Sequence, residues 1–107
     1  MFIMQGAFFE EIKMKRISKD KASKLIGKGA VVVDMRSPVS FRDGHIDGAV
    51  NLLLKGFTNL LMTTTDKKKV FILYGVTVDD VDVVQGFKYS EQLGFQNVHV
   101  TDYTTLK

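Results

Sequence analysis

Two short, uninterrupted runs of apolar residues constrain the fold of this chain more than any other feature. They are "AVVVD" at residues 30–34 and "VFILY" at residues 70–74. Neither run alternates apolar with polar residues, which is typical of a strand that is covered on both faces. The shorter runs "AVNLL" at 49–53 and "NVHV" at 97–100 predict two more strands, and another is predicted around Met14–Ile17.

Stretches with a helical spacing of apolar residues separate these runs. Ser18 is a suitable N-cap for a first helix, because its hydroxyl can accept a hydrogen bond from a first-turn N–H. Two further helices are predicted at residues 56–63 and 80–93. Gly94 is expected to end the second of these in a left-handed conformation, with Phe95 packing behind it. Alternating apolar strands and helices predict an α/β fold, in which helices cover both faces of a parallel sheet.

The length of 107 residues fits one domain with a single hydrophobic core. We expect that domain to span residues 14–107, and residues 1–13 to be an N-terminal extension that forms a short helix. The extension starts with apolar residues, but Gln5 and Gly6 interrupt them and no basic residue precedes them. Such a segment is too short for a membrane span and unlike a signal peptide. The expected location is therefore cytoplasmic, with no membrane association.

The charge of the chain does not indicate a nucleic-acid partner. The net charge is +3, from 15 Lys and Arg against 12 Asp and Glu. Basic residues concentrate in one early segment, at Lys13, Lys15, Arg16, Lys19, Lys21, Lys24 and Lys28. A segment of this kind is typical of the solvated face of a helix, and no interleaved arginines and aromatic residues suggest a base-stacking surface. We expect no nucleic-acid partner.

The chain contains no cysteine. Disulfides, thiolate metal sites and a cysteine nucleophile are therefore excluded. A metal site would need His45 and His99 to converge with acidic residues, and their spacing does not indicate this. We expect neither a metal ion nor another cofactor.

Residues 31–51, "VVVDMRSPVSFRDGHIDGAVN", hold a set of residues at fixed spacing. The set consists of an apolar strand followed by Asp34, Arg36, Phe41, Gly44-His45-Ile46, Gly48-Ala49 and Asn51. This pattern closely resembles the rhodanese-like family; Ser40 departs from it, because an acidic residue is common before the aromatic. The segments "FFEEIKMKRIS" and "LGFQNVHV" also look like family features, so the resemblance covers nearly the whole chain. It implies a three-layer α/β/α fold with a central parallel five-stranded sheet.

Asp34, Arg36 and His45 are the members of this pattern with the most reactive side chains. The Asp34 carboxylate can accept N–H bonds at a strand end, and the Arg36 guanidinium can tie loops together or hold an anion. The pair either shapes an active loop or is a structural brace, and we favour the brace. Histidine is a common general base. For His45, which lies between two glycines in a turn, we expect a structural hydrogen bond instead.

The loop after residues 70–74 is where the family keeps its chemistry. In active rhodanese-like sulfurtransferases a cysteine opens this loop, whose N–H groups cradle a bound persulfide, and an arginine and a Ser or Thr lie near its end. By resemblance the cysteine position falls on Gly75, the arginine position near Asp80 and the Ser/Thr position near Val81. The equivalent of the active loop is Gly75, Val76, Thr77, Val78, Asp79 and Asp80. The resemblance thus implies a loop without a nucleophile, so there is no catalytic residue to assign.

Three carboxylates, Asp79, Asp80 and Asp82, surround the start of the following helix. Acidic residues in a first turn are stabilised by the helix dipole, and Asp79 or Asp80 can cap the helix. Two alternatives remain open: a site for a cation such as Mg²⁺ or Ca²⁺, and a surface for a basic segment of a partner protein.

Three functions are consistent with these features. The first is a catalytically inactive rhodanese-like module that binds or regulates another protein through loop 75–80, with Arg36 and Arg42 at its rim. The second is thiosulfate or persulfide sulfurtransfer, by family similarity. The third and least favoured is phosphatase-like chemistry: the dual-specificity cell-cycle phosphatases have a similar fold, but they need a cysteine and an arginine in this loop.

Two expectations concern the remaining segments. Family members often follow the last strand with Gly-Gly and a short aromatic-bearing helix, whereas this chain has "TDYTTLK". We therefore expect no final helix, an exposed apolar patch and a tendency to self-associate, although the sequence leaves the oligomeric state open. Pro38 is expected in a loop.

Overall fold

The computed structural model describes residues 16–107. The predicted helix of the 1–13 extension therefore lies outside the described residues, as do the first two residues of the strand predicted at Met14–Ile17. The strands are β1 (Val31–Asp34), β2 (Val50–Asn51), β3 (Val70–Gly75) and β4 (Asn97–Asp102). The helices are α1 (Lys19–Gly27), α2 (Pro38–Asp43), α3 (Leu54–Thr63), α4 (Val81–Gln92) and α5 (Tyr103–Leu106).

The four strands form one sheet in the order β2-β1-β3-β4, and every pair is parallel. The prediction of five strands is wrong for the described part of the chain. Where a fifth strand would lie, Arg16 forms a single parallel bridge to Val100, and the Ile17 N–H donates to the Val100 carbonyl at 3.2 Å. Directly after Ile17 the chain enters α1, whose N-cap is Ser18.

Helices cover both faces of the sheet, because side chains alternate along each strand. Phe71 and Leu73 of β3 point to one face, where they join a buried cluster with Phe57 of α3 and Phe87 of α4. On the other face, Ile72 and Tyr74 lie in a second cluster with residues of α1 and α5. The sequence-based prediction of an α/β fold with a parallel sheet is confirmed.

The ends of two helices agree with their sequence signals. The Ser18 hydroxyl accepts from the Lys21 N–H at 3.2 Å, as expected of an N-cap. At the end of α4, Gly94 has a φ of 88°, and the Phe95 N–H donates to the Ser90 carbonyl at 3.0 Å. Both predictions are confirmed.

Two other predictions about local structure are wrong. Pro38 does not lie in a loop but is the first residue of α2, where its lack of an N–H costs nothing, and the Ser37 hydroxyl caps that helix by accepting from the Ser40 N–H. A final helix is present as α5, whose start Asp102 caps by accepting from the Thr105 N–H at 2.8 Å. Leu106 packs onto the α1 face of the sheet, so the expected exposed patch, and with it the argument for self-association, loses its basis.

Within residues 16–107, no helix has the length and apolar character that crossing a membrane requires.

Candidate functional site

The residues singled out in the sequence gather at one edge of the sheet. β1 and β3 are parallel neighbours, with Asp34 opposite Tyr74 in the register, so the segments that follow them emerge side by side. In parallel sheets this C-terminal edge is where ligands bind. Loop 75–80 follows β3, and the segment that contains Arg36 and His45 follows β1.

Asp34 lies at the centre of a buried hydrogen-bond network. Its side chain is fully buried, and its Oδ1 accepts from the Arg36 backbone N–H at 2.9 Å. Its Oδ2 accepts from Arg36 Nη2 at 2.7 Å and from the Tyr74 hydroxyl at 2.6 Å. Two strands and the following turn are thereby tied together by one carboxylate.

Arg36 extends the network to the next turn. Its Nη2 also donates to the Gly44 carbonyl at 2.6 Å, and its guanidinium lies 3.9 Å from the centre of the Tyr103 ring. Only 8% of Arg36 is exposed. The guanidinium thus connects β1, the α2 turn and α5, and it offers little surface to a bound anion. This geometry is that of a brace.

The protonation of the network follows from its contacts. Burial alone would raise the pKa of the Asp34 carboxyl, but hydrogen bonds from Arg36 and Tyr74 outweigh it and hold that pKa below its ordinary value. For Tyr74, burial and then the hydrogen bond to Asp34 raise the pKa of the hydroxyl above its ordinary value. Asp34 is therefore ionised and Tyr74 neutral at neutral pH.

His45 lies on the surface of the same turn. Its ring stacks on Phe41 at a centroid distance of 3.7 Å, and its Nδ1 lies 2.8 Å from the Phe41 carbonyl oxygen. Because a carbonyl only accepts, Nδ1 is the protonated nitrogen and donates this bond. His99 lies in β4, opposite Ile72. In the described part of the chain, no group of three or more His, Asp or Glu side chains could hold a metal ion.

Loop 75–80 follows β3 and contains both buried and exposed residues. Gly75 is the buried last residue of β3, and Val78 reaches back into the core cluster of α3 and α4. Val76, Thr77 and Asp79 are exposed. The loop therefore presents three side chains to solvent while Val78 anchors its middle.

The Asp80 carboxylate turns back into this loop. Its Oδ2 accepts from the Val76 N–H at 2.8 Å and from the Thr77 N–H at 3.4 Å, and its Oδ1 accepts from the Thr77 hydroxyl at 3.1 Å. Asp80 has the N-cap position of α4, but its side chain makes no capping bond. The prediction that Asp79 or Asp80 caps this helix is therefore wrong: the Asp80 carboxylate binds the donors of the preceding loop instead.

The Asp80 carboxylate also fills the space beside Gly75. A β-carbon at Gly75 would collide with Asp80 Oδ2, and it would lie 2.9 Å from Val83 Cγ2 and 3.0 Å from the Thr77 carbonyl oxygen. Real β-carbons do not approach their neighbours this closely. No side chain fits at residue 75 while Asp80 keeps this conformation.

Asp82 has a structural contact that sequence reasoning missed. Its Oδ2 accepts from the Leu54 N–H at 3.2 Å and so links the start of α4 to the start of α3. The N-cap residue of α3 is Leu53, whose apolar side chain cannot accept a hydrogen bond. This is the one sequence signal that the first N–H groups of α3 need an acceptor from elsewhere in the fold. The role of Tyr74 was missed as well, because it depends on the register that places its hydroxyl next to Asp34.

The sequence model of the rhodanese-like domain matches residues 18–103. This chain belongs to the rhodanese-like domain family. The described fold agrees with a crystal structure of a rhodanese-like domain protein from Staphylococcus aureus: the TM-score is 0.68 at 18% identity, and the match covers 87% of this chain and 91% of that one. At this identity the likeness concerns the fold alone.

Two relatives are similar in sequence. Thiosulfate sulfurtransferase GlpE of Ectopseudomonas mendocina (strain ymp) is 52% identical over 40 residues, which are 37% of this chain and 37% of that protein. Uncharacterized protein BU052 of Buchnera aphidicola subsp. Acyrthosiphon pisum (strain APS) is 34% identical over 89 residues, which are 82% of this chain and 62% of that protein. Each match thus spans less than two thirds of the relative.

Proposed function

We propose that this chain is a non-catalytic rhodanese-like domain that acts by binding another protein. One observation carries the proposal: Gly75, which the family resemblance places at the cysteine position, has no side chain, and the Asp80 carboxylate fills the space beside it. The donors that would cradle a sulfur-bearing anion are thus bonded to a carboxylate of the same loop.

The chemistry of sulfur transfer supports this proposal. Transfer from thiosulfate needs a thiolate that forms a bond to the outer sulfur while sulfite leaves, and the chain contains no thiol. The charge of Asp80 is a second argument against sulfur transfer. At an effective dielectric of about 20, two like charges about 4 Å apart repel by about 4 kcal/mol. An anionic substrate is therefore disfavoured at this loop.

The exposed part of loop 75–80 is the proposed binding surface. Val76, Thr77 and Asp79 face solvent there, held by the internal bonds of Asp80. Arg36 is buried in the brace and takes no part in this surface, whereas Arg42 is exposed.

The second candidate function is thiosulfate sulfurtransfer, which the partial similarity to GlpE favours. An assay with thiosulfate and cyanide distinguishes the two candidates. We expect the native chain to form thiocyanate no faster than a reaction without protein, while an active single-domain sulfurtransferase gives clear turnover under the same conditions. Turnover by the native chain that persists through further purification would overturn the proposal of a non-catalytic domain.

A further inference from the structure

We infer that the partner of this domain is a protein segment that carries apolar side chains next to Lys or Arg. The inference rests on the proposed function and specifies the chemistry of its ligand. The docking surface consists of three exposed apolar residues and one exposed carboxylate on neighbouring segments: Leu53, Val76, Val81 and Asp79. We call this surface the loop rim.

Exposed apolar side chains concentrate at this end of the molecule. Six large hydrophobic residues are exposed in the described part of the chain, and all but Met62 lie in β2 or in segments that follow the C-terminal ends of strands: Val39, Val50, Leu53, Val76 and Val81. Three of them form the loop rim, with 46% of Leu53, 61% of Val76 and 71% of Val81 exposed. Exposed apolar residues on adjoining segments favour an interaction site, whereas singly scattered ones need no explanation.

Two hydrogen bonds to carboxylates bring the segments of the loop rim together. The Val76 N–H donates to Asp80 at 2.8 Å, and Val81 directly follows Asp80. Leu53 lies near the start of α4 because the next residue, Leu54, donates its N–H to Asp82 in the first turn of that helix. The segments that carry the rim residues therefore meet at the start of α4.

The charge around the loop rim is predominantly negative, although the exposed Lys55 lies two residues from Leu53. No Lys or Arg occurs between Val70 and Phe87, a stretch that contains Asp79, Asp80 and Asp82. Arg16 pairs with Asp102 and Arg36 pairs with Asp34, so these two arginines do not reach the three carboxylates. The chain as a whole is nevertheless positive, at +3.

Among the three carboxylates, Asp79 is the one able to accept a partner's cation. Asp80 and Asp82 already accept backbone N–H bonds, and both are partly buried. Asp79 is exposed and has no hydrogen-bond or ion-pair partner among the described residues. A Lys or Arg at Asp79 would form a charge-assisted bond while apolar side chains beside it cover Val76 and Val81. Nucleic acids, anionic membranes and acidic peptides would be repelled by the same field.

The test uses a random peptide display library selected on the native full-length chain. Selected peptides are then synthesised with a fluorophore, and their dissociation constants are measured by anisotropy at low salt. We expect selected peptides to carry Lys or Arg next to Leu, Ile, Val or Phe. Val81→Ser should weaken binding by about tenfold, because one buried valine is lost, and Asp79→Asn by about threefold, as for an exposed ion pair.

Two matched controls lie away from the loop rim. Met62→Ser removes an apolar residue that is as exposed as Val81, and Glu91→Gln removes an exposed carboxylate from the other end of α4. Both controls should change binding by less than about twofold. Added salt should weaken binding to the native chain more than binding to Asp79→Asn, because the partner's cation is screened from Asp79.

Several results would overturn the inference: selected peptides that are acidic or purely polar, no selected peptide that combines apolar and basic residues, or equal effects of rim and control variants. Self-association of the native chain that Val81→Ser abolishes would show that a second copy covers the rim, which also contradicts it. Failure here leaves the thiocyanate assay unaffected, and turnover in that assay would refute the proposed function whatever the peptides show.

Discussion

At the scale of single residues, the Asp80 carboxylate occupies the space that a side chain at residue 75 would need. The missing β-carbon of Gly75 leaves the space that Asp80 Oδ2 fills, and the bonds of Asp80 to Val76 and Thr77 hold it there. Restoring a side chain at residue 75 therefore requires the Asp80 carboxylate to leave its donors.

We expect Gly75→Cys to lower the free energy of unfolding by about 1–3 kcal/mol, as in other overpacked positions, and to gain no thiocyanate turnover. In an Asp80→Gly background, the decrease in the free energy of unfolding caused by the same cysteine should be about 1 kcal/mol smaller, because the main clash is gone. Urea unfolding of the four chains of this cycle measures the coupling. An Asp79→Asn background is the control, in which the cost of the cysteine should equal that in the native chain. Additive effects of Gly75→Cys and Asp80→Gly would show that the two sites do not compete for space.

The Asp34 carboxylate should make stability depend on pH. Its pKa is lower in the folded chain than the ordinary value of about 3.9, so the stabilisation it provides is complete above that pH and is lost as the pH falls through the folded pKa. We expect the urea midpoint of the native chain to fall on acidification below about pH 4. Asp34→Asn should be less stable by about 3 kcal/mol near neutral pH, because Arg36 loses its buried partner, and should depend less on pH. If the urea midpoints of the two chains fell with pH in parallel, Asp34 would not be the source of the pH dependence.

At the scale of elements, α3 and α4 begin next to each other and share one acidic residue. Leu53 cannot cap α3, and Asp82 of α4 supplies the acceptor for the Leu54 N–H. The two helices are thereby joined at the edge that carries loop 75–80.

We expect Asp82→Ala to lower the free energy of unfolding by about 1–2 kcal/mol, the usual cost of losing a cap plus a favourable helix-dipole contact. Asp82→Asn should lose less stability than Asp82→Ala, because the amide oxygen can still accept from the Leu54 N–H. Urea unfolding measures both, with Asp79→Ala as the exposed neighbour. A loss in Asp79→Ala as large as that in Asp82→Ala would mean that local charge, and not the bond to Leu54, stabilises this edge.

The elements differed in how well the sequence predicted them. β1 and β3 were found because buried parallel strands are continuously apolar, β4 because of its short run of valines, and the end of α4 because Gly94 supplies a left-handed residue. α5 was missed because its four residues are too few for a periodic pattern, although Asp102 is a residue type that favours an N-cap. α2 did have a signal in Ser37-Pro38, an N-cap followed by a first-turn proline.

The candidate site was predictable in place but not in detail. The motif around Asp34 and the loop after β3 located it, because parallel strands bring both to one edge. Three neighbouring aspartates have the same chemistry, so the sequence could not tell which one would turn inward. That choice depends on the backbone path from Gly75 to Asp80, which only the structure shows.

At the scale of the whole molecule, the two edges of the sheet differ in chemistry. The edge after the strands carries the exposed valines and the carboxylates of loop 75–80. Lys67, Lys68 and Lys69 directly precede β3 and so lie at the opposite edge. We expect such a separation of charge to orient the proposed partner, so that its basic segment meets the acidic edge first.

We propose that no residue of this rhodanese-like domain accepts sulfur. Intact-protein mass spectrometry of the native chain after incubation with thiosulfate tests it most directly, with an active sulfurtransferase as the positive control. We expect an unchanged mass for this chain, because it has no thiol and the Asp80 carboxylate fills the space beside Gly75. A mass increase corresponding to one bound sulfur atom per chain, reversed by cyanide, would contradict it.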